Sequence, residues 1–118
     1  MAGYTPDDLL LNDDELYKSA VDYLPKLSKG LMAIAELMHS GNDADGAYFF
    51  IKATEGLRWL DGFLRNITSS DYKQTEELGG YLSSLLDAWE NGDYVMIGDL
   101  LEYELVPFVE QVNTRILS

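Results

Sequence analysis

The sequence predicts an all-α protein: an antiparallel, up-down-up-down four-helix bundle behind a short N-terminal tail. Three observations carry this expectation. Four long stretches repeat apolar residues at steps of three and four, which keeps one helix face apolar. Short turns rich in Gly, Asn, Asp and Ser separate those stretches. Strand signals are missing, because no stretch alternates polar and apolar residues for long and no hairpin dipeptide joins two such stretches.

Residues 1–12 read as a tail, since Pro6, Asp7, Asp8 and Asn12 break any strong helical pattern. Its apolar run Leu9-Leu10-Leu11 is suited to folding back onto the bundle. The bundle itself is expected over 13–118, with helices near 13–40, 43–67, 71–91 and 93–117.

Helix one opens on Asp13, Asp14 and Glu15, acidic residues where the helix dipole favours them. Its core series is Leu16, Ala20, Leu24, Leu27, Leu31, Ile34 and Met38, and Gly41 supplies a stop. Pro25 removes the hydrogen bond to the Val21 carbonyl, which predicts a kink. Asn42 or Asp43 caps helix two, whose series is Phe50, Ala53, Leu57, Leu60, Leu64 and Ile67. A loop at Thr68-Ser69-Ser70-Asp71 offers Ser70 or Asp71 as the next cap. Helix three follows through Thr75, Leu78, Leu82, Leu85 and Trp89 to Gly92. Asp93 caps helix four, which carries Tyr94, Ile97, Leu101, Leu105, Phe108, Val112 and Ile116, with a bend expected at Pro107. Gly-Asn-Asp at 41–43 and Asn-Gly-Asp at 91–93 are similar connectors, as two helical hairpins related by pseudo-symmetry would have. Four helices with short connections have one easy arrangement, the up-and-down bundle.

Composition narrows the function classes. A chain of 118 residues suits one domain, and 47% hydrophobic residues are too many for intrinsic disorder. With no cysteine there is no disulfide framework, thiolate zinc site or thiol chemistry, which fits a cytoplasmic protein. Eight Lys and Arg against 21 Asp and Glu give a net charge of −13. Such a chain repels phosphates, which argues against nucleic acid and anionic membrane surfaces as partners. No signal peptide is read at the acidic start, and no apolar run approaches the ~20 residues that span a bilayer.

The sharpest enzyme-like pattern is Glu36-Leu37-Met38-His39, because Glu-x-x-His on a helix is the ligand pair of di-iron carboxylate bundles. The core face of helix one centres near Leu27, Leu31 and Met38, so Glu36 points away and His39 lies to the side. His39 is also the only histidine. No metal and no cofactor are therefore expected. No nucleophile elbow or phosphate loop is present, and Gly79-Gly80 lies within a helical pattern. Carboxylates remain, with Glu102 and Glu104 flanking Tyr103. Glu104 is expected at the core edge, paired with Arg58 or Arg65. On helix two, Thr54, Arg58, Asp61 and Arg65 form a polar stripe in which both arginines can reach Asp61. This stripe with Glu104 is the candidate polar cluster, and the bland reading of it is a surface ion-pair ladder.

Helices two and four carry more apolar surface than a bundle helix needs. Phe49, Gly56, Trp59 and Phe63 flank the core series of helix two. Met96, Leu100, Tyr103 and Pro107 form a second line on helix four. Either each helix simply meets two neighbours, or Phe49, Trp59, Phe63, Met96, Leu100 and Tyr103 form an interface with a second subunit or a partner.

The segment Asn91-Gly92-Asp93-Tyr94-Val95-Met96-Ile97-Gly98-Asp99-Leu100-Leu101-Glu102-Tyr103-Glu104-Leu105-Val106-Pro107 resembles an uncharacterised family of small acidic helical-bundle proteins from Firmicutes bacteria, and Glu55-Gly56-Leu57-Arg58-Trp59-Leu60 is similar to their second helix. The resemblance covers about half the chain and brings no catalytic residue. It implies a bacterial, cytoplasmic origin. The layout is also similar to flagellar export chaperones, although their sequence signatures are missing. The expected function is a non-enzymatic protein-interaction module, homodimeric through helices two and four. Two alternatives stand beside it. One is a chaperone or adaptor that holds an amphipathic helix of an exported, for instance flagellar, protein. The other is a small-ligand binder or enzyme using Arg58, Asp61, Arg65 and Glu104.

Overall fold

The structure, a computed structural model, describes residues 13–67 and 73–117. The tail at 1–12 with Leu9-Leu10-Leu11, and the loop at 68–72 with the Ser70 or Asp71 cap, lie outside the described residues. The described chain is a bundle of helices: α1 (Asp13–His39), α2 (Asp43–Ile67), α3 (Lys73–Glu90), α4 (Tyr94–Leu100) and α5 (Val106–Leu117). A π-helical turn at Leu101–Leu105 joins α4 to α5, so the fourth rod is one continuous helical path. Among the described residues there is no strand. The long dimension of 42 Å is what a 27-residue helix gives at about 1.5 Å per residue.

The two glycine connectors are built alike. At the end of α1 the Asn42 N–H donates to the Leu37 carbonyl and the Gly41 N–H to Met38, with Gly41 at φ +82°. At the end of α3 the Asp93 N–H donates to Ala88 and the Gly92 N–H to Trp89, with Gly92 at φ +64°. Both are Schellman turns, which use a left-handed residue to satisfy carbonyls left over at a helix end. Asp93 then caps α4 by accepting the Met96 N–H at 3.1 Å.

The predicted core series of α1 is buried throughout, from Leu16 to Met38. α1 runs unbroken through Pro25. It packs against α2 on one side and the fourth rod on the other, while α3 closes the ring against α2 and the fourth rod. α2 and the fourth rod therefore stand at diagonal corners.

The α1–α2 seam is aromatic. Trp59 and Phe63 stack at 5.2 Å and 9°, Tyr23 meets Trp59 edge-on at 5.2 Å, and Tyr17 meets Phe63 edge-on at 6.1 Å. Gly56 makes this approach possible. A β-carbon there would collide with the Tyr23 hydroxyl and lie 2.9 Å from Leu27 Cδ1.

The π turn explains how the fourth rod accommodates Pro107. The Val106 N–H reaches back five residues to the Leu101 carbonyl. This wider turn ends two residues before Pro107, which cannot donate to Tyr103 and whose ring would crowd that carbonyl. Near Pro107, where a bend is expected, the helix has a π turn, and the core series Ile97, Leu101, Leu105, Phe108 and Val112 stays buried across it.

Gly56 yields the first prediction. In an ordinary helix interior Gly→Ala stabilises by about 0.5–1 kcal/mol. At this seam overpacking costs about 1–3 kcal/mol and outweighs that gain. Gly56→Ala should lower the urea midpoint, and Tyr23→Phe in the same chain should recover part of the loss.

Candidate functional site

The aromatic packing on α1 leaves the other side of α2 thinly covered. Between α2 and α3 runs an apolar groove of about 570 Å³. Phe50, Leu57 and Leu85 form its buried floor. Thr54, Asp61, Leu82 and Trp89 are half-buried walls, and Phe50 and Trp89 lie with ring centroids 5.5 Å apart at one end. Ile51 and Leu86 form opposing lips, each 56% exposed.

The candidate interface residues separate into two groups. Trp59 and Phe63 are 4% and 0% exposed within the single chain, so they are core rather than interface. The reason is the Tyr23–Gly56 approach, which lets α1 cover a strip of α2 beyond its basic core stripe. Trp59 alone has about 150–250 Å² to bury, worth about 4–6 kcal/mol at ~25 cal/mol per Å². Phe49, Met96 and Tyr103 do remain exposed, and Leu100 is half-buried. Phe49 borders a second groove, between α1 and α2, with Leu37 and Lys52. Because α2 and the fourth rod are diagonal, Phe49 and the Met96–Tyr103 line face different directions.

The candidate polar cluster also divides. Arg65 Nε donates to Asp61 Oδ2 at 2.9 Å, one step of the expected ladder. Among the described residues Arg58 makes no ion pair, and neither arginine pairs with Glu104. Glu104 is exposed on the fourth rod rather than at the core edge. Its charge acts on Tyr81 of α3, whose hydroxyl is held above its usual 10.0 by burial, then by Glu77, then by Glu104. The diagonal placement of α2 separates the arginines from it.

One polar arrangement was not read from the sequence. His39 Nε2 donates to Asp99 Oδ1 at 2.8 Å, and His39 Nδ1 lies 3.5 Å from Glu102 Oε1. Gly98 opens the space, since a β-carbon there would sit 2.9 Å from His39 Nε2 and 3.1 Å from Met38 Cβ. The signal available was the pairing of a sole histidine at a helix end with a glycine between core positions of another helix. The cluster ties the end of α1 to α4 and the π turn. It is partly solvated, with His39 and Glu102 side chains 29% and 28% exposed, so its contribution stays near the ~1 kcal/mol upper range of surface pairs. Next to it, the Tyr103 hydroxyl donates to Glu102, which raises the phenol above 10.0, with the Glu102 charge and Asp99 adding to it. Among the described residues no cluster of three His, Asp or Glu side chains is placed to hold a metal ion. No described helix is long and apolar enough to cross a membrane.

The chain is thus an all-α bundle with an apolar groove between α2 and α3. Residues 15–115 match the model of a family described as a domain of unknown function (DUF8042), and the chain belongs to that family. An uncharacterized protein of Treponema pallidum (strain Nichols) is 32% identical over 99 residues, covering 74% of this chain and 50% of that one. The chain therefore spans about half the length of this curated relative. That relative comes from a spirochaete, so the similarity extends outside the Firmicutes named by the sequence resemblance. No solved structure matches.

Two predictions follow from these placements. Trp59→Glu should unfold the chain, seen as loss of helical circular dichroism, rather than release a soluble monomer. Glu102→Gln should lower the Tyr103 pKa toward 10.0, read as the difference in ultraviolet titration between chains with and without Tyr103→Phe. Tyr81 and Tyr103 both have raised values in the folded chain, so their stabilising contribution is complete below pH 10 and fades as pH climbs through the folded values.

Proposed function

We propose that this chain is a non-enzymatic, cytoplasmic protein-interaction module whose α2–α3 groove seats the apolar face of a partner protein's amphipathic helix. The groove carries the reading: an open apolar channel with a buried floor and exposed Ile51 and Leu86 at its lips. Its residues along α2 run from Phe50 to Asp61, about 16 Å at 1.5 Å per residue, or three helical turns. Docking an apolar helix stripe into such a channel is a recurring recognition mode, with anchors at i, i+3, i+4 and i+7.

Charge selects between occupants. Two copies at −13 each repel one another, whereas a helix with a cationic outer face is attracted. A basic partner helix is therefore favoured over a second copy of this chain. The exposed Met96 and Tyr103 line supports a second reading, self-association through the fourth rod, against that same repulsion.

The test uses an 18-residue Leu/Lys amphipathic peptide and a scrambled peptide of identical composition, with Trp89 fluorescence as the readout. The stripe-bearing peptide should bind more tightly than the scrambled one. Ile51→Glu and Leu86→Glu, both at exposed lips, should erase that difference while leaving helical circular dichroism intact. Equal binding of the two peptides overturns the reading. So does a concentration-dependent dimer that the lip substitutions break, which would make the groove a seat for a second copy.

A further inference from the structure

Resting on the groove reading above, we infer that the groove is polarised by Arg58 and selects a partner helix that carries a carboxylate two turns from its apolar anchor. Among the described residues two charged side chains line the groove, Arg58 and Asp61. Asp61 is already engaged by Arg65 Nε at 2.9 Å. Arg58 makes no ion pair among the described residues, in a chain where acidic side chains outnumber basic ones 21 to 8. An unpaired guanidinium beside an apolar channel presents a planar fork of donors, which fits a carboxylate by two parallel hydrogen bonds.

The spacing is set by α2 itself. Arg58 follows Ile51 by seven residues, so the two share a face about 10.5 Å apart along the helix. A partner helix lying along α2 with an apolar anchor over Ile51 and Leu86 brings the position seven residues away to Arg58. Outside the groove the chain is acidic, so the partner's remaining polar face is cationic. The selected sequence is thus an apolar stripe with basic flanks and one acidic residue at the i+7 or i−7 position, according to the direction in which the helix lies.

This makes a prediction opposite in sign to the net field. A chain at −13 prefers Lys over Gln over Glu at any position of a bound peptide unless a local contact reverses the order. Three versions of the Leu/Lys peptide, with Glu, Gln or Lys seven residues from the central anchor, are titrated in both registers at low salt. For the wild type, Glu should bind about twofold to fivefold tighter than Gln in one register, as expected for an ion pair with an exposed arginine. Arg58→Gln should abolish that preference, and Arg58→Glu should reverse it toward Lys. Both variants alter an exposed side chain, and circular dichroism verifies that they stay folded.

The order Lys, Gln, Glu in the wild type, unchanged in Arg58→Glu, overturns the role of Arg58. If the stripe-bearing peptides still exceed the scrambled control in that case, the groove reading survives it. If they do not, both fall together. A preference for Glu that persists in Arg58→Gln also overturns the assignment, because another group would then be reading the carboxylate.

Discussion

The closeness of α1 to α2 at Tyr23 and Gly56 governs much of the molecule. Gly56 removes the one side chain that would hold the helices apart, and Tyr23 fills the space against Trp59. Once that approach is made, Trp59 and Phe63 become a stacked pair committed to the α1 seam. What remains for α3 is Phe50, Leu57 and smaller or polar groups. The α2–α3 groove is the geometric remainder of that choice: a helix has one circumference, and aromatic bulk placed on one side of it is withheld from the other. Gly98 plays a parallel role at the far end of α1, where it admits Met38 and His39 toward α4.

The helices were legible because their apolar periods are long and uninterrupted, and because each Schellman turn is marked by a glycine. Leu16 through Met38 in α1, and Ile97 through Val112 across the fourth rod, fall into the core as their spacing requires. Trp59 and Phe63 were harder for a physical reason. Periodicity states which residues share a face, but the width of the face that a neighbour covers depends on how near it comes. That distance is set by a pair on two different helices, Tyr23 and Gly56, which no single-helix pattern contains. The groove was illegible for the same reason, being a property of what α3 fails to cover. Of the candidate site residues, Arg58 and Asp61 do reach a concavity, while Glu104 stands on a diagonal rod.

The His39 cluster and the π turn show how the fourth rod is fixed along its length. Near one end, Asp93 caps α4, and Asp99 with Glu102 holds the histidine that closes α1. In the middle, the turn at Leu101–Leu105 takes in one extra residue per hydrogen bond. Its Glu102 thereby comes within reach of His39, while Leu101 and Leu105 stay in the core. A π turn is commonly associated with functional positions. Here a sufficient local cause is present, since Pro107 follows it by two residues and needs room at the Tyr103 carbonyl.

The electrostatics and the groove make complementary demands. A net charge of −13 makes copies of the chain repel one another, which opposes the nonspecific contacts that exposed Ile51, Leu86, Phe49 and Tyr103 invite. In the proposed reading the same field would draw in a cationic segment over distances comparable with the ~8–10 Å screening length at ordinary ionic strength. Apolar contact cannot supply that long-range preference, because it acts only when surfaces meet. Charge alone cannot choose among basic helices, because one helix of a given net charge is attracted much like another. In the proposed reading selectivity therefore comes from features inside the groove, and those available are its three-turn length, the Phe50–Trp89 ring pair at one end and the cation at Arg58. A surface proposed to attract by sign and discriminate by shape needs only a few such features, and the α2–α3 seam gathers them between two helices.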